Sequence, residues 1–209
     1  IGSMIPLTAV FQSNDYEIED YNFNLFISVD AVVYSDLDPS LESDYGYKAY
    51  DNTDTNYEEH PVYSWIEINQ IGENLNLTDD THIDNVQIGF DFKYFGQTYS
   101  SMTVCSNGWA SFEPCPISHF WNFSIPNAMG PSAMLAPFMD DLDDDDGNEP
   151  FNIYSYNDGN GQFIIQWDDV SNGEDDQNCP DCIKETFQMI LRDISAYPTL
   201  TGDGEIIFQ

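Results

Sequence analysis

Asp140-Asp141-Leu142-Asp143-Asp144-Asp145-Asp146-Gly147-Asn148-Glu149 is the densest run of carboxylates in the chain. Hard oxygens at this density suit a calcium ion, which takes roughly six to eight oxygen ligands. An EF-hand register is excluded. Gly147 at the sixth loop position would put Leu142 at the first and no glutamate at the twelfth. A β-loop site remains, with Asp140, Asp141, Asp143 and Asp145 as its expected ligands. Asp140 and Asp141 directly follow an apolar segment, so one of them is expected at the core rim. A buried carboxylate there needs a cation or hydrogen-bond donors. Asp51 and Asp54, with Glu58, Asn52 and Asn56, offer a second candidate site at spacings of three and four. The competing reading is Asx-turn chemistry that folds the loop onto itself. Glu174-Asp175-Asp176 with Asp181 is a third acidic candidate, and for all three the plain alternative is a solvated charged face.

The cysteines are Cys105, Cys115, Cys179 and Cys182. An even number in a β-type chain fits an oxidising compartment, and of the three possible pairings the local one, 105–115 with 179–182, is expected. Cys179-Pro180-Asp181-Cys182 has redox-motif spacing but no βαβ setting, so a structural disulfide is expected there. Cysteine-peptidase chemistry would pair Cys105 or Cys115 with His119, and glycosidase chemistry would need two close carboxylates. Among 38 acids such a pair carries no information. Phe120 and Trp121, inside His119-Phe120-Trp121-Asn122-Phe123, could stack on sugar rings or dock a protein if exposed; otherwise they plug the core.

Composition narrows the partners. The 209 residues hold 38 Asp+Glu against 4 Lys+Arg, a net charge of −34. Nucleic acid is excluded as a partner because nothing here neutralises phosphates, and anionic membrane surfaces are excluded on the same ground. No apolar run reaches the length of a membrane span. The 15% aromatic content argues for a packed core despite the charge. Ile1-Gly2-Ser3-Met4 reads as a vector remnant, and the last residues, Glu205 to Gln209, read as mid-strand, so further sequence is expected beyond them.

The elements that must position these groups are strands. No sustained helical period occurs. Val86, Ile88, Phe90 and Phe92 alternate with polar residues, as do Tyr63 to Ile68. Asn107-Gly108 between apolar runs is the strongest hairpin signal, and Asn157-Asp158-Gly159-Asn160-Gly161 marks a second. About ten short strands at 8–12-residue spacing predict an all-β, two-sheet, jelly-roll-like sandwich with long acidic loops.

The order of these motifs resembles the nidogen-type extracellular β domain. Phe90-Asp91-Phe92 with Tyr94-Phe95-Gly96 precedes Ser106-Asn107-Gly108, then Ala136-Pro137-Phe138 and Ile165-Gln166-Trp167. The stretch from Tyr45-Gly46-Tyr47 through Trp65-Ile66-Glu67-Ile68 is similar to accessory segments of large secreted bacterial proteins, among them gingipain-type and subtilisin-like peptidases with type IX secretion signals. The resemblance covers residues 45–209 and leaves 5–44 unplaced. It implies a non-catalytic module at the cell surface or outside the cell, beside neighbouring domains of the same polypeptide. A calcium-stabilised accessory role is the resulting expectation. A glycan- or protein-binding adhesion module and a hydrolase are the alternatives.

Overall fold

The computed structural model describes residues 37–115, 117–118, 123–125, 128, 130–143, 152–173 and 182–209. Among these residues ten strands form two antiparallel sheets, and no helix occurs. None of them is therefore a helix long and apolar enough to cross a membrane. The larger sheet runs β1 (Glu73–Asn74), β7 (Ile153–Asn157), β8 (Gln162–Asn172), β9 (Lys184–Arg192), β10 (Glu205–Phe208), with β6 (Leu142–Asp143) also pairing β8. The smaller sheet runs β2 (His82–Tyr94), β3 (Gln97–Cys105), β4 (Trp109–Ser111), β5 (Met134–Leu135). This is the expected β-sandwich.

Each strand buries alternate residues against the other sheet, because side chains change face at every step. Val86, Ile88 and Phe92 of β2, and Met102 and Val104 of β3, meet Phe163, Ile165 and Trp167 of β8 and Phe187, Met189 and Leu191 of β9 in one core. Trp167 also donates from Nε1 to the Cys105 carbonyl at 3.1 Å, a polar bond between the two sheets. The whole run Phe163 to Trp167 is buried, which alternation alone does not produce. Its outer face is covered by a segment around Ile66 and Ile68, which packs on Ile164 and Ile190.

That covering segment corrects the reading of Tyr63–Ile68 as a strand. It joins no ladder. Side chains tether it instead. Gln166 and Gln188 face each other across β8 and β9. Gln166 Nε2 donates to Glu67 Oε1 at 2.7 Å, and Gln188 Nε2 donates to the Ile66 carbonyl at 2.6 Å. Gln188 Nε2 also reaches Gln166 Oε1, and Gln209 Nε2 reaches Gln188 Oε1, so the buried amides are satisfied in series.

Strands β2 and β3 are joined by Phe95 and Gly96, with Tyr94 opposite Gln97. Both turn residues have positive φ, 46° and 77°, as the tight hairpin turn requires. Holding Phe95 there costs energy, and its ring is packed on Tyr45, Tyr47 and Tyr94. Below the turn lies Asp203, fully buried. Gly96 N–H donates to its Oδ2 at 3.0 Å, and the Lys93 ammonium stands 3.2 Å from its Oδ1. One of the four cations in the chain is thus spent on fastening a loop to a hairpin.

Candidate cation site

The loop 51–57 folds by local hydrogen bonds. Asp51 Oδ1 accepts from the Thr53 N–H and the Thr53 hydroxyl, both at 2.7 Å, and these bonds hold the Asp51 carboxyl below its ordinary range. Asp54 Oδ2 accepts from the Asp51 N–H at 2.8 Å. So far this is the Asx-turn reading of the loop. Asp54 differs in being 1% exposed, with its second oxygen, Oδ1, buried and unpartnered. Burying a carboxylate oxygen with neither water nor donor is costly, and a cation or a proton removes the cost. Around it, Tyr57 donates to Asp38 Oδ1 at 2.8 Å, and Lys48 lies over the rings of Tyr50 and Tyr57. No group of three or more His, Cys, Asp or Glu side chains converges as a metal-ligand set among the described residues. An ion at Asp54 would therefore complete its shell with backbone carbonyls and water, which calcium accepts.

The aspartates of the denser run are engaged differently. Pairing of β6 with β8 sets Leu142 opposite Asn172. Asp140 Oδ2 then accepts from Asn172 Nδ2 at 2.7 Å, and the Asp141 carbonyl accepts from the Gly173 N–H at 2.6 Å. Asp140 and Asp141 are both half-buried; an amide donor meets the Asp140 carboxylate, whereas the Asp141 acceptor is its main-chain carbonyl. Asp143 is half-buried on β6, and its carbonyl accepts from the Ser171 hydroxyl. Asp145 lies outside the described residues, as do Glu174, Asp175, Asp176 and Asp181.

The Asn107-Gly108 turn proves to be the junction that places this run. Asn107 is fully buried. Its Oδ1 accepts from the Leu142 N–H at 3.0 Å, while its Nδ2 donates to Asp80 Oδ1 at 2.8 Å and to the Ser118 carbonyl at 3.1 Å. Gly108 has φ 73°, and a Cβ on it would fall 1.7 Å from the Phe138 carbonyl oxygen. The pair therefore docks the Phe138–Leu142 segment against the hairpin.

A family model described as "NIDO related", that is nidogen-related, matches residues 54–195, more than half of the chain. The chain belongs to the nidogen-related family. No curated protein matches it, and neither does any solved structure. The match indicates no catalytic family.

The catalytic alternatives find little geometry in this nidogen-related domain. The Cys105 thiol is fully buried, and burial pushes it up to about 12, far from a ready thiolate. The expected Cys105–Cys115 bridge is corrected: both are free thiols, packed as small apolar groups around Trp109 with Ile117, Met134, Ala136 and Met139. A serine–imidazole–carboxylate order does arise, unnoticed in the sequence. Ser118 Oγ lies 2.5 Å from His82 Nδ1, and Asp84 Oδ2 lies 4.0 Å from His82 Nε2. The second distance is beyond hydrogen-bond reach, and Asp84 Oδ1 is held by the Thr103 hydroxyl at 2.6 Å. The only sequence signal for it was His82 and Asp84 two apart on one strand. Asp203 and Lys93 were missed as well, although a lone lysine within an apolar strand invites a search for a buried acid. Phe120, Trp121, His119 and Cys179 lie outside the described residues.

Proposed function

We infer that this nidogen-related domain is a non-catalytic accessory module of an extracellular or surface protein, stabilised by calcium and working beside neighbouring domains of its own polypeptide. The observation that carries the calcium reading is the buried, unpartnered Oδ1 of Asp54. A divalent ion there would pair the orphaned oxygen and close the loop that begins at Asp51. Binding to the folded form alone would then raise stability by mass action. The net charge of −34 adds a second benefit, since each bound cation relieves repulsion. The oxidising setting is supported by Cys182, which is disulfide-bonded; Cys179 is its expected partner. Isothermal titration of calcium into the chelator-treated domain tests the reading. Saturable binding at micromolar to millimolar concentration, lost in Asp54→Asn, is expected. Binding unaffected by that substitution moves the ion elsewhere.

A further inference from the structure

The chain has a second feature, independent of any bound ion. A cavity of about 530 Å3 opens between the β2–β3 hairpin and the segment that follows β4, within the size range of ligand sites. It is lined by Tyr94, Tyr99 and Phe123 together with the apolar Ile125 and Met134. One carboxylate, Glu113, faces it, and among the described residues no lysine, arginine or histidine does.

The walls are rigid where it matters. The buried Ser111 Oγ lies 2.8 Å from the Glu113 carbonyl and 2.9 Å from the Ser132 carbonyl, either of which can take its one proton, and accepts from the Glu113 N–H at 3.0 Å. That one side chain ties the two segments bearing the carboxylate and the opposite rim. Burial, then the Glu113 charge, raise the Tyr99 phenol above its ordinary value, so its hydroxyl keeps its proton. Phe95 and Ala133, both on the wall, hold positive φ of 46° and 55°. Strained non-glycine backbone gathers at sites that bind.

We propose that this cavity receives the side chain of a lysine or arginine from a partner protein. Three features select that occupant. Aromatic faces attract a cation, Glu113 supplies its counter-charge, and apolar residues accommodate its aliphatic stem. Anionic ligands are rejected by Glu113 and by the field of a chain with net charge −34. The same field draws a basic partner toward the surface, and the cavity gives it an address.

The test uses the purified domain with the capped tripeptides acetyl-Ala-Lys-Ala-amide and acetyl-Ala-Arg-Ala-amide at about 0.15 M salt, where the Debye length is ~8 Å. Binding is followed by aromatic and methionine-methyl NMR shifts. The controls are the N-acetyl-lysine tripeptide, the norleucine tripeptide and methyl glucoside. Shifts at Tyr94, Tyr99, Phe123 and Met134 are expected with the two cationic peptides. Glu113→Gln should weaken binding by about tenfold or more, whereas Asp91→Asn, on an exposed acid outside the cavity, should leave it unchanged. Ile125→Trp, at the half-exposed rim, should block entry without touching the charge; the thermal melt of each variant shows whether it is folded. Four results would overturn the proposal: no binding, equal weakening by Glu113→Gln and Asp91→Asn, equal affinity for the acetyl-lysine or norleucine peptide, or preferential binding of the sugar.

Discussion

Replacing Asp203 by asparagine keeps the side-chain volume and removes the charge beneath the β2–β3 turn. In the native domain Oδ1 faces the Lys93 ammonium and the Tyr45 hydroxyl, each at 3.2 Å, and Oδ2 faces the Gly96 N–H at 3.0 Å. Asparagine has one acceptor oxygen, so its amide N–H2 must point at a donor on one side or the other. One charge-assisted hydrogen bond is lost outright, about 1.5–3 kcal/mol. Loss of the ion pair adds less than the ~3–5 kcal/mol typical of a fully buried pair, since the Lys93 side chain is 38% exposed and partly solvated. A total near 3 kcal/mol is expected, or roughly 6–12 °C in melting temperature for a domain of this size. Lys93→Met should cost at least as much, because it leaves the fully buried carboxylate with neutral donors alone. Urea titration at about 1 M sodium chloride is the assay, because salt screens surface pairs and spares buried ones. A change below about 0.5 kcal/mol for Asp203→Asn, or an effect that vanishes in the salt, would refute the clamp.

Gly108→Ala should prevent or severely impair folding, since it combines a disfavoured φ with a collision at the Phe138 carbonyl, whereas Asn107→Ala should fold with a loss of about 3 kcal/mol, read by urea titration. The Glu67 carboxyl is held below its ordinary value by the Asn69 N–H first and the Gln166 amide next. The stability difference between wild type and Glu67→Gln should therefore be full above the unfolded value near 4.5 and shrink as pH falls through the lowered folded value; a difference constant across that range in pH-dependent urea melts would exclude the contribution. Cys105 should resist a thiol-reactive dye in the native state and react only on unfolding, so rapid native labelling at Cys105 would contradict its burial.

Much of the sandwich was legible because local chemistry wrote it. The β7–β8 hairpin follows from Asp158, whose Oδ1 accepts from the Asn160 and Gln162 N–H groups, bonds suited to a short Asx side chain in a turn. The alternation in β2 marked Val86, Ile88 and Phe92 as core. The same signal misled at Tyr63–Ile68, because alternation reports that one face is buried and is silent on whether the backbone enters a ladder. Cys105 and Cys115 bracket a hairpin strand in the sequence, but proximity along the chain does not decide between a bridge and two buried thiols. The acidic loops show the limit most clearly. Spacing nominated Asp51 and Asp54 alike, yet only folding separates a carboxylate saturated by Thr53 from one with a buried orphan oxygen. Asp203 could not be singled out among so many acids, since its partner Lys93 comes to it only through the tertiary fold.

The central claim is that a calcium ion completes the Asp54 site, and thermal unfolding with millimolar calcium against excess chelator, both at about 1 M sodium chloride, tests it most directly. With free calcium at roughly ten times a dissociation constant near 10⁻⁴–10⁻³ M, the folded state gains about 1.4 kcal/mol, or some 3–6 °C. Wild type should show that rise. Asp54→Asn, which removes the charge from the buried oxygen, should lose it while melting no lower than wild type in chelator. An unchanged melting temperature in wild type, or an equal rise in Asp54→Asn, would contradict the account.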